Sequence, residues 1–225
     1  MLLRHGRTPT NVQGVLAGWS DVALDPTGEK QAVAVAQRLA GVPLRAVVSS
    51  PLRRCQQTAA AVVADRAELA VATDDRLGEC RYGDWEGRKL VELAGEPLWQ
   101  VVQLRPSAAV FPGEGAEPLA TTAARAVSAV RDIDARVSAE HGSDAVWLAC
   151  SHGDVIKAIV ADALGLHLDL FQRIVVDPCA VTVIRYTPLR PFLLRLNDTG
   201  GELGALAVPD HSDAAVGGGT GAQAV

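Results

Sequence analysis

The sequence predicts an α/β fold: a three-layer α/β/α sandwich with a largely parallel central sheet. Two observations carry this. Strand-like and helix-like segments alternate along most of the chain, the pattern of parallel strands joined by helical crossovers. One strand, Ala145 to Cys150, is an unbroken apolar run, as expected of a strand covered on both faces. The chain has 225 residues, of which 48% are hydrophobic and 21% charged. That fits one globular domain with a sizeable core.

The elements follow in order. Leu2-Leu3 is a short buried strand running into a polar loop. Residues 29–40 place Ala32, Val35, Ala36 and Leu39 on one helical face. Ala46-Val47-Val48 is a β-branched strand, and residues 52–64 form a helix with Ser50 as N-cap and Pro51 in its first turn. Residues 69–73 read as a strand, and 88–94 and 96–104 as two short helices. Pro106, Pro112, Gly113, Gly115 and Pro118 punctuate a loop over 106–118. Residues 119–139 are the clearest helix, with Ala123, Val127, Val130, Ile133 and Val137 at helical spacing. A further helix over 154–164 stops at Gly165. Residues 180–187 and 191–197 pair as a hairpin at one side of the sheet. From about residue 201 to 225 the composition turns to Gly and Ala without period, which predicts a flexible tail.

Composition excludes several classes. The net charge of -5 and pI near 5.5 are opposite in sign to a dedicated nucleic-acid binder. No run of 18 apolar residues exists to span a membrane. The start lacks the apolar core of a signal peptide. The four cysteines form no Cys-x-x-Cys pair, so a structural zinc site is not expected. Reduced thiols and a cytoplasmic location follow as the default. The basic residues are 18 Arg and 3 Lys, so local positive charge is nearly always a guanidinium, suited to bidentate oxyanion recognition.

Four segments carry chemistry. In Leu3-Arg4-His5-Gly6-Arg7-Thr8-Pro9-Thr10-Asn11 a histidine follows a strand, where open α/β sheets bind ligands. Its glycine would let an anion approach the backbone. In Ser49 to Ala59, Arg53 and Arg54 stand in the first turn of a helix, where arginine opposes the helix dipole unless an anion is near. Within Leu77 to Gly87, Glu79 would serve as a general acid if its pKa were raised. In Trp147 to Asp154 a second strand ends in His152-Gly153 and opens a helix, a ready anion site. Taken singly, each has a bland reading: an incidental loop histidine, solvated arginines, a surface Glu, a packed histidine.

Together, Arg4-His5-Gly6, Ser50-x-Leu52-x-Arg54-x-x-Gln57-Thr58, Glu79 and Ser151-His152-Gly153 resemble, in their order, the motifs of the histidine phosphatase superfamily. That superfamily includes the cofactor-dependent phosphoglycerate mutases and many phosphomonoesterases. The resemblance covers about residues 1–200 and implies a phosphoglycerate mutase-like fold. It implies that His5 is the nucleophile, that Arg4, Arg54 and His152 hold the phosphoryl oxygens, and that Glu79 donates the proton. Thr8, Asn11 and Gly153 match positions lining the phosphate pocket. No metal and no cofactor is implied, because the guanidiniums neutralise the phosphoryl charge.

The chain departs from the pattern at two points. Arg7 stands where Glu is usual and would add an anion contact. Pro118, in Pro112 to Pro118, stands where Ser is common, so a hydroxyl contact is missing. Trp19, in Gly18-Trp19-Ser20-Asp21, resembles a segment at the substrate entrance and has packing as an equal reading. Residues 95–118 are expected to form a cap. Its Leu98, Trp99, Val102, Val110 and Phe111 are either contacts for an apolar leaving group or the underside of a packed helix.

The phosphatase branch, which includes alpha-ribazole-phosphate phosphatases, is favoured over the mutases. Glu79 and His152 lie 73 positions apart, without the mutases' longer insertion. Residues 98–124 hold one Arg and no Lys, and Cys80 replaces the Arg that mutases tend to carry after the acid. The expected partner is a small-molecule phosphomonoester, with a homodimer as candidate assembly. A phosphoglycerate mutase and a non-catalytic phospholigand-binding module are the alternatives.

Overall fold

The computed structural model describes residues 1–201 and 216–217. Its strands are β1 (Leu2–Arg4), β2 (Leu44–Ser49), β3 (Val71–Thr73), β4 (Val146–Ser151), β5 (Val181–Arg185) and β6 (Phe192–Asp198). They form one sheet in the order β3-β2-β4-β1-β5-β6. The first four run parallel, and β5 and β6 join as an antiparallel hairpin on the far side of β1. The helices are α1 (Pro9–Gln13), α2 (Pro26–Leu39), α3 (Arg53–Val63), α4 (Leu90–Leu93), α5 (Pro97–Leu104), α6 (Leu119–His141) and α7 (Gly153–Ala163).

Alternation along each strand builds two cores. Leu3, Val47, Leu148 and Cys150 point one way, onto Val35 and Leu39 of α2 and Ala59 and Val62 of α3. Leu2, Val48, Trp147 and Ala149 point the other way, onto Ile133 and Val137 of α6 and Ile156 and Ile159 of α7. The sheet is therefore covered on both faces, as the apolar run at Ala145–Cys150 predicts. Each fully buried Leu, Ile or Val contributes about 1.5–3 kcal/mol of transfer free energy. Among the described residues, no helix is long and apolar enough to cross a membrane.

Several local details differ from the sequence reading. Residues 9–13, expected as loop, form α1. Thr8 and Asn11 close a capping box on it, and Gly14 ends it at φ 61°. Helix α2 starts before residue 29 because the Asp25 carboxylate caps Gly28 N–H at 2.7 Å and Pro26 occupies the first turn. Helix α3 starts at Arg53 with Leu52 at the cap position, so Ser50 and Pro51 lie outside it.

Gly6 makes a packing contact that the sequence reading does not include. A Cβ there would lie 2.6 Å from the Gly28 carbonyl oxygen, and a Cβ on Gly28 would lie 2.0 Å from the Arg7 carbonyl oxygen. The loop after β1 and the start of α2 thus pack backbone against backbone. Gly28→Ala should destabilise the fold by about 1–3 kcal/mol, towards the upper end because the obstacle is backbone. Urea denaturation reads this directly, and an unchanged midpoint would contradict the contact.

The predicted cap contains α5. Val102 and Phe111 are buried in the core, and the Phe111 ring meets Tyr82 and Trp85 at centroid distances of 4.9 and 5.3 Å. Trp99 sits 6.3 Å from Trp85, whereas Val110 is exposed. Most of the apolar residues in question therefore pack inward. Of the predicted tail, residues 202–215 and 218–225 lie outside the described residues. Val216 is buried in the main core, and Gly217 N–H donates to Asp154 Oδ2 at 2.9 Å.

Candidate active site

Three adjacent parallel strands end at the site. β4 lies between β1 and β2, with Arg4 opposite Ser151 and Ser49 opposite Cys150. The chain then leaves each strand at its carboxyl end, the ligand-binding side of open α/β sheets. His5 leaves β1, donating its own N–H to Ser151 O at 3.0 Å. His152 leaves β4 and stands at the N-cap of α7, with Gly153 as the first helical residue. Ser50 leaves β2. The His5 and His152 rings meet edge to face with centroids 5.2 Å apart.

His5 is 4% exposed, and its Nδ1 lies 2.7 Å from Gly6 O. A carbonyl oxygen only accepts, so Nδ1 carries the proton and Nε2 keeps its lone pair. Burial, with Arg54 and Arg4 nearby, holds the His5 pKa well below 6.5. The ring is therefore neutral and nucleophilic at pH 7. His152 is also held well below its usual value, by burial and then by Arg54, His5 and Arg4. Its Nε2 lies 2.7 Å from Ser50 Oγ and 3.4 Å from Cys55 Sγ. Sequence position gives Ser50 only a capping role; in the fold it orients the second histidine. Nothing local marks that contact, because the two residues are 102 positions apart.

The arginines are fixed through backbone carbonyls. Arg4 donates to Val176 O at 2.7 Å and to Gly217 O at 3.5 Å. Arg54 donates to Ser20 O at 3.0 Å and Gly18 O at 2.7 Å. Both are buried. Anchoring of this kind holds a guanidinium plane in place for an oxyanion at little entropic cost on binding.

Glu79 lies in the loop after the short 3₁₀ turn Asp75–Leu77. It is 4% exposed, and its Oε1 accepts from Cys80 N–H at 3.0 Å. Burial, followed by the negative charge of Asp154, raises its pKa to about 8. The carboxyl is thus protonated at neutral pH, as a general acid requires. Asp154 is itself buried. It accepts from the Tyr82 hydroxyl at 2.8 Å and lies 3.5 Å from Lys157 Nζ.

The remaining predicted site residues are held by other contacts. Thr8 and Asn11 bond to one another in the α1 capping box. Arg7 pairs through Nε with Asp25 at 2.8 Å, and so braces the cap of α2. Trp19 donates its indole N–H to Glu79 O at 2.5 Å, with the Arg81 guanidinium 3.6 Å from its ring centroid.

A neutral imidazole with one fixed tautomer, flanked by anchored guanidiniums and a protonated carboxyl, is a site suited to covalent phosphoryl transfer through histidine. The chain belongs to the histidine phosphatase superfamily (branch 1), whose family model matches residues 1–199. Among curated relatives, it is 34% identical over 171 residues to a glucosyl-3-phosphoglycerate phosphatase of Mycolicibacterium vanbaalenii, covering 75% of each chain. It is 32% identical to a probable phosphoglycerate mutase of Erwinia tasmaniensis, covering 80% of this chain and 81% of that one. Among solved structures, a mutant phosphoserine phosphatase from Entamoeba histolytica, in complex with phosphoserine, superposes with a TM-score of 0.77. The match has 25% identity and covers 88% of this chain and 95% of that one.

Proposed function

We propose that the chain is a metal-independent phosphomonoester hydrolase that works through a phosphohistidine on His5. The observation that carries this reading is the His5 ring: neutral, with Nδ1 tied to Gly6 O and Nε2 left to attack. Nε2 bonds to phosphorus as the bond from phosphorus to the ester oxygen breaks. The leaving oxygen takes the Glu79 proton. Arg4, Arg54 and His152 bear the charge on the phosphoryl oxygens. In the second half, the Glu79 carboxylate takes a proton from water. The resulting hydroxide attacks phosphorus, the N–P bond breaks, and orthophosphate leaves with both side chains restored.

Hydrolysis is favoured over mutase chemistry by the cap. A mutase must exclude water and retain its intermediate, and residues 98–124 offer one basic side chain, Arg105, for that purpose. The reading includes a cytoplasmic setting, in keeping with four buried free cysteines.

The test is phosphate release from a panel of phosphomonoesters with a chelator present. Phosphoserine and glucosyl-3-phosphoglycerate head the panel because similar proteins are named for them. Alpha-ribazole phosphate, sugar phosphates, nucleotides and phosphopeptides complete it. Release is expected with the chelator present. Loss of release that added metal restores would overturn the metal-free mechanism. Interconversion of phosphoglycerates without release would make the chain a mutase. Binding without either activity would make it a phospholigand module.

A further inference from the structure

We infer that Arg125 is the positioning residue for the proton donor, holding the Glu79 backbone so that its carboxyl faces the leaving oxygen. This rests on the hydrolase reading above. Arg125 projects from α6, and its guanidinium gathers three carbonyls of one short loop. Nη1 donates to Arg76 O and Gly78 O, each at 2.7 Å, and Nη2 donates to Glu79 O at 2.8 Å. The same guanidinium is paired bidentately with Glu117, through Nη2 to Oε1 at 2.5 Å and Nε to Oε2 at 3.1 Å. Glu117 extends the frame, for its Oε1 also accepts from Arg81 N–H at 3.1 Å, and its own N–H donates to Arg81 O at 2.9 Å.

Trp19 grips the loop at the same carbonyl, Glu79 O, through its indole N–H. The ring is wedged beside Gly78, where a Cβ would come within 2.5 Å of it, and carries Arg81 on its face. The loop from Arg76 to Arg81 is therefore bound on both flanks of Glu79. The carboxyl itself has less support. Among the described residues its one hydrogen bond is from the adjacent Cys80 N–H. Its aim is thus set by the backbone beneath it, and the backbone is set by Arg125 and Trp19. A displacement of about 1 Å at a reacting group can cost on the order of 100-fold in rate.

A positioning role has a signature that a merely structural one lacks. Displacing the acid slows only those substrates whose leaving oxygen needs a proton. The experiment measures kcat/KM of Arg125→Met on an alkyl phosphate and on nitrophenyl phosphate, with the fold checked by circular dichroism. Trp19→Phe, which removes the indole N–H and keeps an aromatic ring, is measured alongside and decides the matter if Arg125→Met does not fold. The alkyl phosphate is expected to lose about 10–100-fold and nitrophenyl phosphate less than about threefold, with Trp19→Phe shifted in the same direction. In a Glu79→Gln background neither change should alter the ratio further. Equal losses on both substrates, or no loss on either, would overturn the positioning role alone. An unsubstituted chain that releases no phosphate from any substrate would overturn the hydrolase reading and this inference with it.

Discussion

His5→Ala is expected to abolish the phosphoenzyme and to lower turnover by on the order of 10⁵-fold, the scale set by removing a covalent nucleophile. On the proposed mechanism, the ring supplies the bond that splits ester hydrolysis into two transfers. His152 is a neutral imidazole too, but its Nε2 faces Ser50 Oγ at 2.7 Å and Cys55 Sγ at 3.4 Å. Alanine also leaves a buried space at the end of β1 beside Arg4 and Arg54, so phosphate esters should still bind. The measurement is rapid quench with a radiolabelled phosphomonoester, followed by acid and alkali treatment of the protein. The expected result is an acid-labile, alkali-stable label on the parent and none on the variant. Label retained by His5→Ala would move the nucleophile elsewhere, with His152 the next residue to test.

Glu79→Gln carries the second large effect, and it has two readouts of opposite sign. For catalysis, the variant should lose about 10²–10⁴-fold in kcat/KM on alkyl phosphates, because it cannot protonate the leaving oxygen. Nitrophenyl phosphate should suffer far less. In the parent, kcat/KM for an alkyl phosphate should fall as pH rises through about 8, where the Glu79 proton is lost. That descending limb should disappear in the variant. For stability the sign reverses. The folded state holds the Glu79 proton up to about 8, whereas the ordinary value is 4.5. Between those values the unfolded chain binds fewer protons, so stability falls as pH rises. Glutamine does not titrate. The stability of the variant relative to the parent should therefore rise as pH goes from about 4 to 8. Thermal melts of both proteins across that range test it. A difference between the two proteins that stays constant from about pH 4 to pH 8 would mean that Glu79 is ionised in the folded protein at neutral pH, and its role as acid would fail with it.

Arg7 and Trp19 show how far local sequence reaches. Arg7 reads as an extra anion contact, because an arginine beside a nucleophile suggests one. In the fold its Nε is paired with Asp25, which caps α2. Trp19 has two equal readings in the sequence; in the structure its ring lies beside Gly78 and its indole N–H donates to Glu79 O, a contact neither reading names. Thr8 and Asn11 are spaced as a capping box as well as a pocket motif. The short α1 they cap buries no residue of its own, and helix periodicity is blind to such an element. Arg125 could not be singled out at all. Its partners lie outside α6, in the loop from Arg76 to Glu79 and at Glu117.

By itself the sequence determined the alternation of elements, the doubly covered sheet and the candidates for five reacting groups: His5, Arg4, Arg54, Glu79 and His152. The alternation and the covered sheet follow from side-chain periodicity, and the five candidates from four short motifs whose order resembles that of the histidine phosphatase superfamily. The tertiary structure decided what those groups are chemically. The His5 tautomer depends on a carbonyl next door, and its neutrality on burial between two guanidiniums. The Glu79 proton depends on desolvation and on Asp154, 75 positions along the chain. Its backbone is held by an arginine from α6. Desolvation and Coulomb interactions act through space, between residues the chain brings together only when it folds, and no local pattern encodes them.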